Sequence, residues 1–515
     1  MYSILLSYRN LFFQILLSIS LSLLLHFFSL PSIFLSGLNT YIHPDDVNPS
    51  KPQSGPKVAI RRPSDTNSDQ GLNGFQSLSS KTASELRNRK KPKEKFEFDE
   101  SKAQIFRLKL GDAHIHSRLY YDSYRGCFNT FVVSCSCFVL HRYLNVDHGS
   151  GILRNGSLVP IVIGVLGLFR VLISLFRVSI ERSGFRRSER QLGLGLGCLG
   201  FIAVLVIFLG VYPWILDFEF SSVDGYGRLF MAALAGFITG FLYLAAGKNA
   251  RAFWLGTDQI RCNLPIISCG WFAQMIFYAN YLMMAFVSLL WIKPFAEILL
   301  NKNTGASRRG QAGGHREKLV GNMGMEEADF VKFRLWCLLI SGVLQVFALR
   351  PNVQTYLNEA VLSWYQRLHS SMVPDLDYSR AKVFLHNHFL CLATIQFLSP
   401  AVLMLLSLGL SQVGGGLFEN FQVACVMLPC SAFVKEVALF LAWWVAFVWF
   451  VFTSAYLAFY RRGILYDPCI MRLHEAGSRD QHLENDPSWC LSPFMNVNLV
   501  DHVEPGHRKA LMVAI

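Results

Sequence analysis

The chain has 515 residues, of which 52% are apolar and 16% are charged, whereas soluble proteins carry about 25% charged residues. This composition excludes a string of ordinary soluble domains and predicts an all-α, polytopic transmembrane helix bundle. The formal net charge is +13, and the basic excess lies in loops beside apolar runs. Such clustering is typical of loops near anionic lipids, so we expect contact with the lipid bilayer and no nucleic-acid binding.

The cysteines and histidines predict neither a disulfide framework nor a metal site. Most of the twelve cysteines lie in apolar runs, where a thiol behaves as a small hydrophobe, and the sequence has no CxxC pair. His114 and His116 form a His-x-His pair of the kind that holds zinc in some hydrolases, but the surrounding sequence lacks the scaffold and the further ligands. We therefore expect surface histidines, no metal and no cofactor.

Four regions follow one another along the chain. Residues 1–36 contain a long apolar run, Leu11 to Leu35, which favours an uncleaved membrane anchor over a cleaved signal peptide. Residues 37–125 are rich in Pro, Ser, Lys and Arg in their central part and predict a basic, largely disordered cytoplasmic linker. Residues 126–462 are expected to form the multispanning membrane domain, and residues 463–515 a polar C-terminal tail.

Apolar runs predict about nine membrane spans, including the N-terminal anchor. Segment 126–144 is polar and 335–349 is short, whereas 417–433 carries Glu419 and Asn420 and is expected to be interfacial or re-entrant. After the anchor, the predicted spans are 126–144, 158–178, 192–216, 229–247, 266–292, 335–349, 389–411 and 437–459.

Charges in short loops predict the orientation of the spans. Five arginines place the 177–190 loop in the cytoplasm. Asp217 and Glu219 place the next loop outside, and Lys248 and Arg251 return the chain to the cytoplasmic side. The 37–125 segment and the C-terminus are then expected to be cytoplasmic.

Two loops that this orientation places outside carry features of their own. The 293–333 loop is basic, so either its length weakens the charge rule or one span is miscounted. Asn155 begins an Asn-Gly-Ser sequon, which makes it a candidate N-glycosylation site.

Polar side chains within the predicted spans are costly and usually face protein or water. They either line a permeation or substrate path or form hydrogen bonds between helices. We favour hydrogen bonds for the uncharged side chains and leave both interpretations open for the arginine. The candidates are Arg170, Gln274, Asn280, Gln345 and Gln396.

Two pairs of glycines are spaced four residues apart within apolar runs: Gly193 with Gly197, and Gly236 with Gly240. This spacing lets transmembrane helices approach closely. We therefore expect helix packing here rather than a nucleotide-binding loop.

Five short phrases occur in a fixed order over residues 1–462, and together they resemble the transmembrane protein 161 A/B family of eukaryotic multispanning proteins. The basic linker, the tail after Arg462 and the His-x-His pair depart from that family's pattern. The phrases are Tyr41-x-His43-Pro44, Trp291-Ile292-Lys293-Pro294, Arg350-Pro351-Asn352-Val353-Gln354-Thr355-Tyr356-Leu357, Gln396-Phe397-Leu398-Ser399-Pro400 and Trp443-Trp444.

The phrases suggest local structure. Arg350-Pro351 fits a helix end followed by the start of an interfacial helix, since the residue before proline disfavours helical geometry. Pro400 is expected to stop or kink its helix. Trp443 and Trp444 suit an interfacial aromatic belt if they lie near span ends.

The resemblance implies no enzymatic activity and no catalytic residues, and it associates such proteins with protection against oxidative stress and with regulation of membrane ion currents. The leading hypothesis is a non-enzymatic membrane protein, in the plasma membrane or an endomembrane, that modulates or scaffolds other membrane proteins. The alternative is a transporter or channel subunit with an intramembrane polar path, and a membrane-embedded enzyme ranks third.

Overall fold

The computed structural model describes residues 8–42, 58–60, 105–144, 156–180, 187–211, 215–218, 220, 225–257, 270–300, 325–369, 376–413 and 431–462. Within these residues the chain forms an all-α bundle with one small sheet, which confirms the predicted fold class. The strands are β1 (Asn39–Ile42), β2 (Val58–Ile60) and β3 (Ile105–Lys109). The helices are α1 (Arg9–Phe28), α2 (Leu30–Leu35), α3 (Asp112–His116), α4 (Tyr121–Leu144), α5 (Leu158–Ile180), α6 (Arg187–Val206), α7 (Gly225–Thr257), α8 (Trp271–Leu290), α9 (Lys293–Leu299), α10 (Glu327–His369), α11 (Leu376–His388), α12 (Leu390–Gln412) and α13 (Ser431–Arg461).

Eight of the described helices are long and apolar enough to cross a bilayer: α1, α5, α6, α7, α8, α10, α12 and α13. The remaining predicted span, 126–144, lies in α4, which is a 24-residue helix of lower apolarity. Helix α4 lies antiparallel along α5, because Gly126 adjoins Arg170 and Ser134 Oγ donates a hydrogen bond to the Ile163 carbonyl oxygen (3.1 Å). The protein is therefore a multi-pass membrane protein, with eight spans by apolarity and a ninth helix alongside them.

Helix α12 lies at the centre of the bundle. Its apolar stretch is entirely buried, and it packs against α4, α5, α10 and α13. The hydroxyls of Thr394, Ser399 and Ser411 donate to carbonyl oxygens three or four residues earlier in the same helix (2.7–2.9 Å). These internal hydrogen bonds satisfy polar side chains without partners on other helices.

Trp443 and Trp444 lie in the core and away from the ends of their helix, so the condition for an interfacial aromatic belt is not met. They occupy the middle of α13 and are 2% and 3% exposed. Trp443 Nε1 donates to the Ser288 carbonyl oxygen (3.2 Å), and Trp444 Nε1 donates to the Ala235 carbonyl oxygen (3.2 Å). Each indole N–H thus has an acceptor inside the bundle, which allows the ring to be buried.

Helix α10 continues through Pro351 without a break, so the predicted helix end at Arg350-Pro351 is wrong. Proline removes one backbone hydrogen bond and usually kinks or ends a helix. Here Leu357 is buried on the far side of the proline, and Thr355 Oγ1 donates to the Pro351 carbonyl oxygen (2.9 Å). Tertiary packing of the helix outweighs the local penalty.

The 37–125 segment contains a small antiparallel sheet, which the sequence analysis did not predict. The strand order is β1-β3-β2, and β1 pairs with β3 from Asn39 opposite Lys109 to Ile42 opposite Phe106. Partners so distant in sequence leave no local turn signal between the two strands.

Helices α6 and α7 approach each other closely at the two glycine pairs. A Cβ atom on Gly236 would lie 2.9 Å from the Gly197 carbonyl oxygen, and a Cβ atom on Gly240 would lie 3.0 Å from the Gly193 carbonyl oxygen. The backbones therefore pack directly against each other, which confirms the predicted helix packing.

We expect Gly236→Ala to destabilise the bundle, because the added methyl group meets the backbone of α6. Overpacking of this kind costs about 1–3 kcal/mol. The matched control is Gly195→Ala on the same helix pair, since a Cβ atom there meets nothing within 4 Å. Thermal unfolding in detergent measures both variants, and equal midpoints would contradict the close approach.

Candidate functional site

Helix α10 is about twice as long as the hydrocarbon core of a bilayer is thick. Its 43 residues extend about 65 Å if straight, whereas the hydrocarbon core is about 30 Å thick. The apolar stretch 335–349 lies in its first half, so its second half projects beyond the hydrocarbon region. Ion pairs hold both parts: Arg334 Nη2 lies 2.6 Å from Asp217 Oδ2, and Glu359 Oε1 lies 2.9 Å from Arg251 Nε.

Strand β1 and helix α11 meet on the projecting part of α10, and we call the contact among these three elements the polar junction. Gln354 Oε1 accepts a hydrogen bond from the Asn39 N–H (2.9 Å), and its Nε2 donates to the Asn39 carbonyl oxygen (3.1 Å). The Tyr41 hydroxyl donates to Asn358 Oδ1 (3.1 Å), and Asn387 Nδ2 donates to the Tyr41 carbonyl oxygen (2.6 Å). Gln354 and Asn387 thus form hydrogen bonds with backbone groups of the edge strand β1 that would otherwise have no partner.

A buried carboxylate lies beside the polar junction among basic side chains, and we call Glu359, Arg251, Lys382 and His386 the Glu359 cluster. Glu359 Oε1 lies 3.7 Å from Lys382 Nζ and 4.0 Å from His386 Nε2, in addition to its pair with Arg251. The Glu359 side chain is 14% exposed. Because its partners come from α7 and α11, the carboxylate draws three helices together.

His386 adds a neutral ring to this cluster. Burial lowers the pKa of His386 to about 4, against the raising effect of the Glu359 carboxylate. Its Nδ1 lies 2.8 Å from the Lys382 carbonyl oxygen; because a carbonyl only accepts, Nδ1 carries the proton. The ring stacks on Tyr356 with centroids 4.6 Å apart, and Lys248 Nζ lies 5.6 Å from the centre of the same Tyr356 ring.

These residues hold neighbouring elements of the fold together. Amide side chains satisfy the backbone of β1, and cations neutralise a carboxylate. Among the described residues, no group of three or more His, Cys, Asp and Glu side chains could hold a metal ion. His114 and His116 lie on the short helix α3.

The structure does not bring the intramembrane polar candidates together. Asn280, Gln345 and Gln396 are 5%, 1% and 2% exposed, and each has a buried side-chain atom without a hydrogen-bond partner. Gln274 Nε2 lies 3.4 Å from a carbonyl oxygen of α7, and Arg170 is exposed on α5. No hydrogen bond joins two of these five, all of which belong to the described part of the chain.

Two of the phrases that carry the family resemblance meet at the polar junction. Tyr41 comes from one, and Gln354 and Tyr356 come from the other, whose Arg350 Nη2 also donates to the Ser36 carbonyl oxygen (3.1 Å). Elsewhere, Trp291 is buried at the turn before Lys293 and Pro294, which begin α9, and Gln396 and Pro400 lie inside α12. The predictions for His43, Pro44, Asn155 and most of 417–433 lie outside the described residues.

The sequence analysis did not identify Glu359, Asn358, Lys382 and His386, because the polar stretch after Pro351 was interpreted as a separate interfacial helix. Helical spacing was the available signal. Gln354 and Asn358 are four residues apart and share one helix face, as do Lys382 and His386.

Residues 216–419 match the family model described as predicted transmembrane protein 161AB. The matched range runs from before α7 to after α12, so it contains the Glu359 cluster and the α10 and α11 sides of the polar junction. No solved structure matches the chain at a significant level.

We expect Gln354→Leu to loosen β1, because Asn39 loses both an acceptor for its N–H and a donor for its carbonyl oxygen. Leaving a buried backbone group without a hydrogen-bond partner destabilises the folded strand by about 1–3 kcal/mol. Amide hydrogen exchange at Asn39 should therefore accelerate by about tenfold. Exchange mass spectrometry on a peptide covering β1 measures this.

The control for this experiment is Ser18→Ala, which removes a hydroxyl on the exposed face of α1 and should leave β1 unchanged. If the exchange of β1 stays at the wild-type rate in Gln354→Leu, other contacts hold the strand.

Proposed function

We propose, on the premise that the chain belongs to the transmembrane protein 161A/B family, that this multi-pass membrane protein is a non-enzymatic modulator or scaffold of other membrane proteins. Regulation of ion currents and protection against oxidative stress, which the family resemblance implies, would then be exerted through partners in the plasma membrane or an endomembrane. The observation that carries the proposal is the position of Arg170.

Arg170 lies near the middle of the apolar helix α5, where its exposed side chain sits at the edge of the outward face, against Gly126 of α4. Leu166, Phe169 and Ile173 around it are 58%, 61% and 48% exposed, so this face is apolar and open. One guanidinium nitrogen of Arg170 lies 3.4 Å from Thr130 Oγ1, beyond the usual range of such hydrogen bonds. The bundle therefore satisfies only a small part of the hydrogen-bonding capacity of this cation.

An arginine at mid-span costs about 2.5–3.5 kcal/mol on insertion scales. A neighbouring helix with an Asp or Glu side chain at the same depth would neutralise it through a bidentate, charge-assisted contact. The surrounding apolar side chains would pack against that helix. An outward arginine in an apolar face is thus suited to selecting a membrane partner that carries an acidic residue.

The test is site-specific photocrosslinking in cells with the full-length protein. A photoreactive amino acid at Phe169 should form a discrete adduct with another membrane protein, and Arg170→Gln should reduce that adduct by about tenfold, which corresponds to about 1.4 kcal/mol of lost contact energy. Changing the partner's intramembrane Asp or Glu to the amide should reproduce the loss.

The control position is Phe237, which is 65% exposed on α7 and should give no adduct that depends on Arg170. Adducts at Phe169 that persist unchanged in Arg170→Gln, or that consist of lipid alone, would contradict the proposal and indicate that Arg170 reaches lipid headgroups.

A transporter or channel subunit is the second candidate. The buried polar atoms of Asn280, Gln345 and Gln396 that have no hydrogen-bond partner favour it, since such groups can face a polar path. Ion flux in proteoliposomes that contain only this protein separates the two functions. A flux that is present in the wild type and lost in Arg170→Ala would favour transport over the modulator.

A further inference from the structure

A small cavity lies between helices α7, α8 and α13, and it has a polar side. Asn249, Asn280 and Thr453 line it, one from each helix, and aromatic rings with Met284 form most of the remaining wall. The volume that the centre of a water molecule can reach inside the cavity is about 10 Å³. A buried water needs about 10–15 Å³ of such volume, so the cavity is the size of a single water.

Two oxygen atoms in the wall of this cavity have no partner. Asn280 Oδ1 and Thr453 Oγ1 are buried and make no hydrogen bond, and their residues are 5% and 3% exposed. Asn280 lies at the middle of α8, and the packed helices close its side chain off from bulk water. An unsatisfied polar group in such surroundings is strongly unfavourable, which indicates that a ligand occupies the cavity.

We propose that this cavity is a binding site for one ordered water molecule, which donates hydrogen bonds to Asn280 Oδ1 and Thr453 Oγ1 and thereby links α8 to α13. Water matches the size of the cavity and the acceptor character of both atoms. Asn249 supplies a third polar group from α7, within the two to four partners that a buried water takes.

A metal cation fits this cavity poorly. Calcium takes six to eight oxygen ligands, including carboxylates. The described wall offers the side-chain oxygens of Asn249, Asn280 and Thr453 and no carboxylate, and the Tyr281 hydroxyl is already paired with Ser454 Oγ. The lining segments are regular helices, whose interior carbonyl oxygens are engaged in the backbone ladder. The donor set is therefore too small and too neutral to replace a hydration shell.

The site does not involve Arg170, on which the proposed modulator function rests, and its first test is hydroxyl-radical footprinting of the full-length protein in detergent. Radicals formed from a bound water oxidise the side chains that touch it. Met284 and Trp449, which line the cavity, should be labelled. Met404 and Trp443 are equally buried outside it and should not be labelled.

The second test is whether a substitution of Thr453 raises or lowers the thermal unfolding midpoint. Thr453→Val should lower the thermal midpoint and abolish the labelling of Met284, because the water loses a partner, whereas Thr453→Ser keeps the hydroxyl and should restore both. A dry cavity would overturn the proposal: Thr453→Val would then raise the midpoint by removing an unsatisfied group, and Met284 would stay unlabelled. A midpoint that rises in sodium or potassium relative to N-methylglucamine, and only with Thr453 intact, would also overturn it in favour of a cation.

Discussion

The structure depends on a buried carboxylate, that of Glu359, and on the cations that surround it. A carboxylate removed from water is stable only when nearby positive charge and hydrogen bonds replace its hydration. The closest positive charge is that of Arg251 on α7, whose Nε lies 2.9 Å from Glu359 Oε1. Lys382 on α11 supplies a second positive charge. The position of Glu359 on α10 therefore fixes three helices relative to one another. Strand β1 then binds next to them through Gln354 and Asn387.

A second ion pair lies far from the first along α10. Arg334 and Asp217 pair at one end of α10, and Glu359 and Arg251 pair 25 residues later, about 38 Å along the helix. This distance exceeds the thickness of the hydrocarbon core. The charges in short loops predict that Asp217 and Arg251 lie on opposite sides of the membrane, and the separation of the two pairs along α10 is long enough for that arrangement. The segments on either side of residues 301–324 lie close together, since the Met325 N–H donates to the Leu299 carbonyl oxygen (3.3 Å). They lie near Asp217, whose N–H donates to the Trp291 carbonyl oxygen.

The sequence predicted what apolarity and spacing control, and it failed where distant parts of the chain meet. Long apolar runs gave the helices, and the Gly236 and Gly240 spacing gave a close helix contact, because both signals are local. The continuation of α10 through Pro351 is not local, since packing on both sides of the proline decides it. The pairing of β1 with β3 and the gathering of charges around Glu359 likewise need the folded chain.

The most direct test of this account is a double-mutant cycle on Glu359 and Arg251, followed by reversible unfolding in detergent. Glu359→Gln alone should lower the free energy of unfolding by about 1–3 kcal/mol, because the buried Lys382 loses its carboxylate, whereas the Arg251 side chain is 38% exposed and stays partly hydrated. The double variant should cost less than the sum of the single variants, with a coupling energy of about 1–3 kcal/mol. The exposed pair of Asp329 and Lys332, whose side chains are 62% and 70% exposed, is the control and should show about 0.2–1 kcal/mol. Additive effects at Glu359 and Arg251 would show that the helices are held together by other contacts.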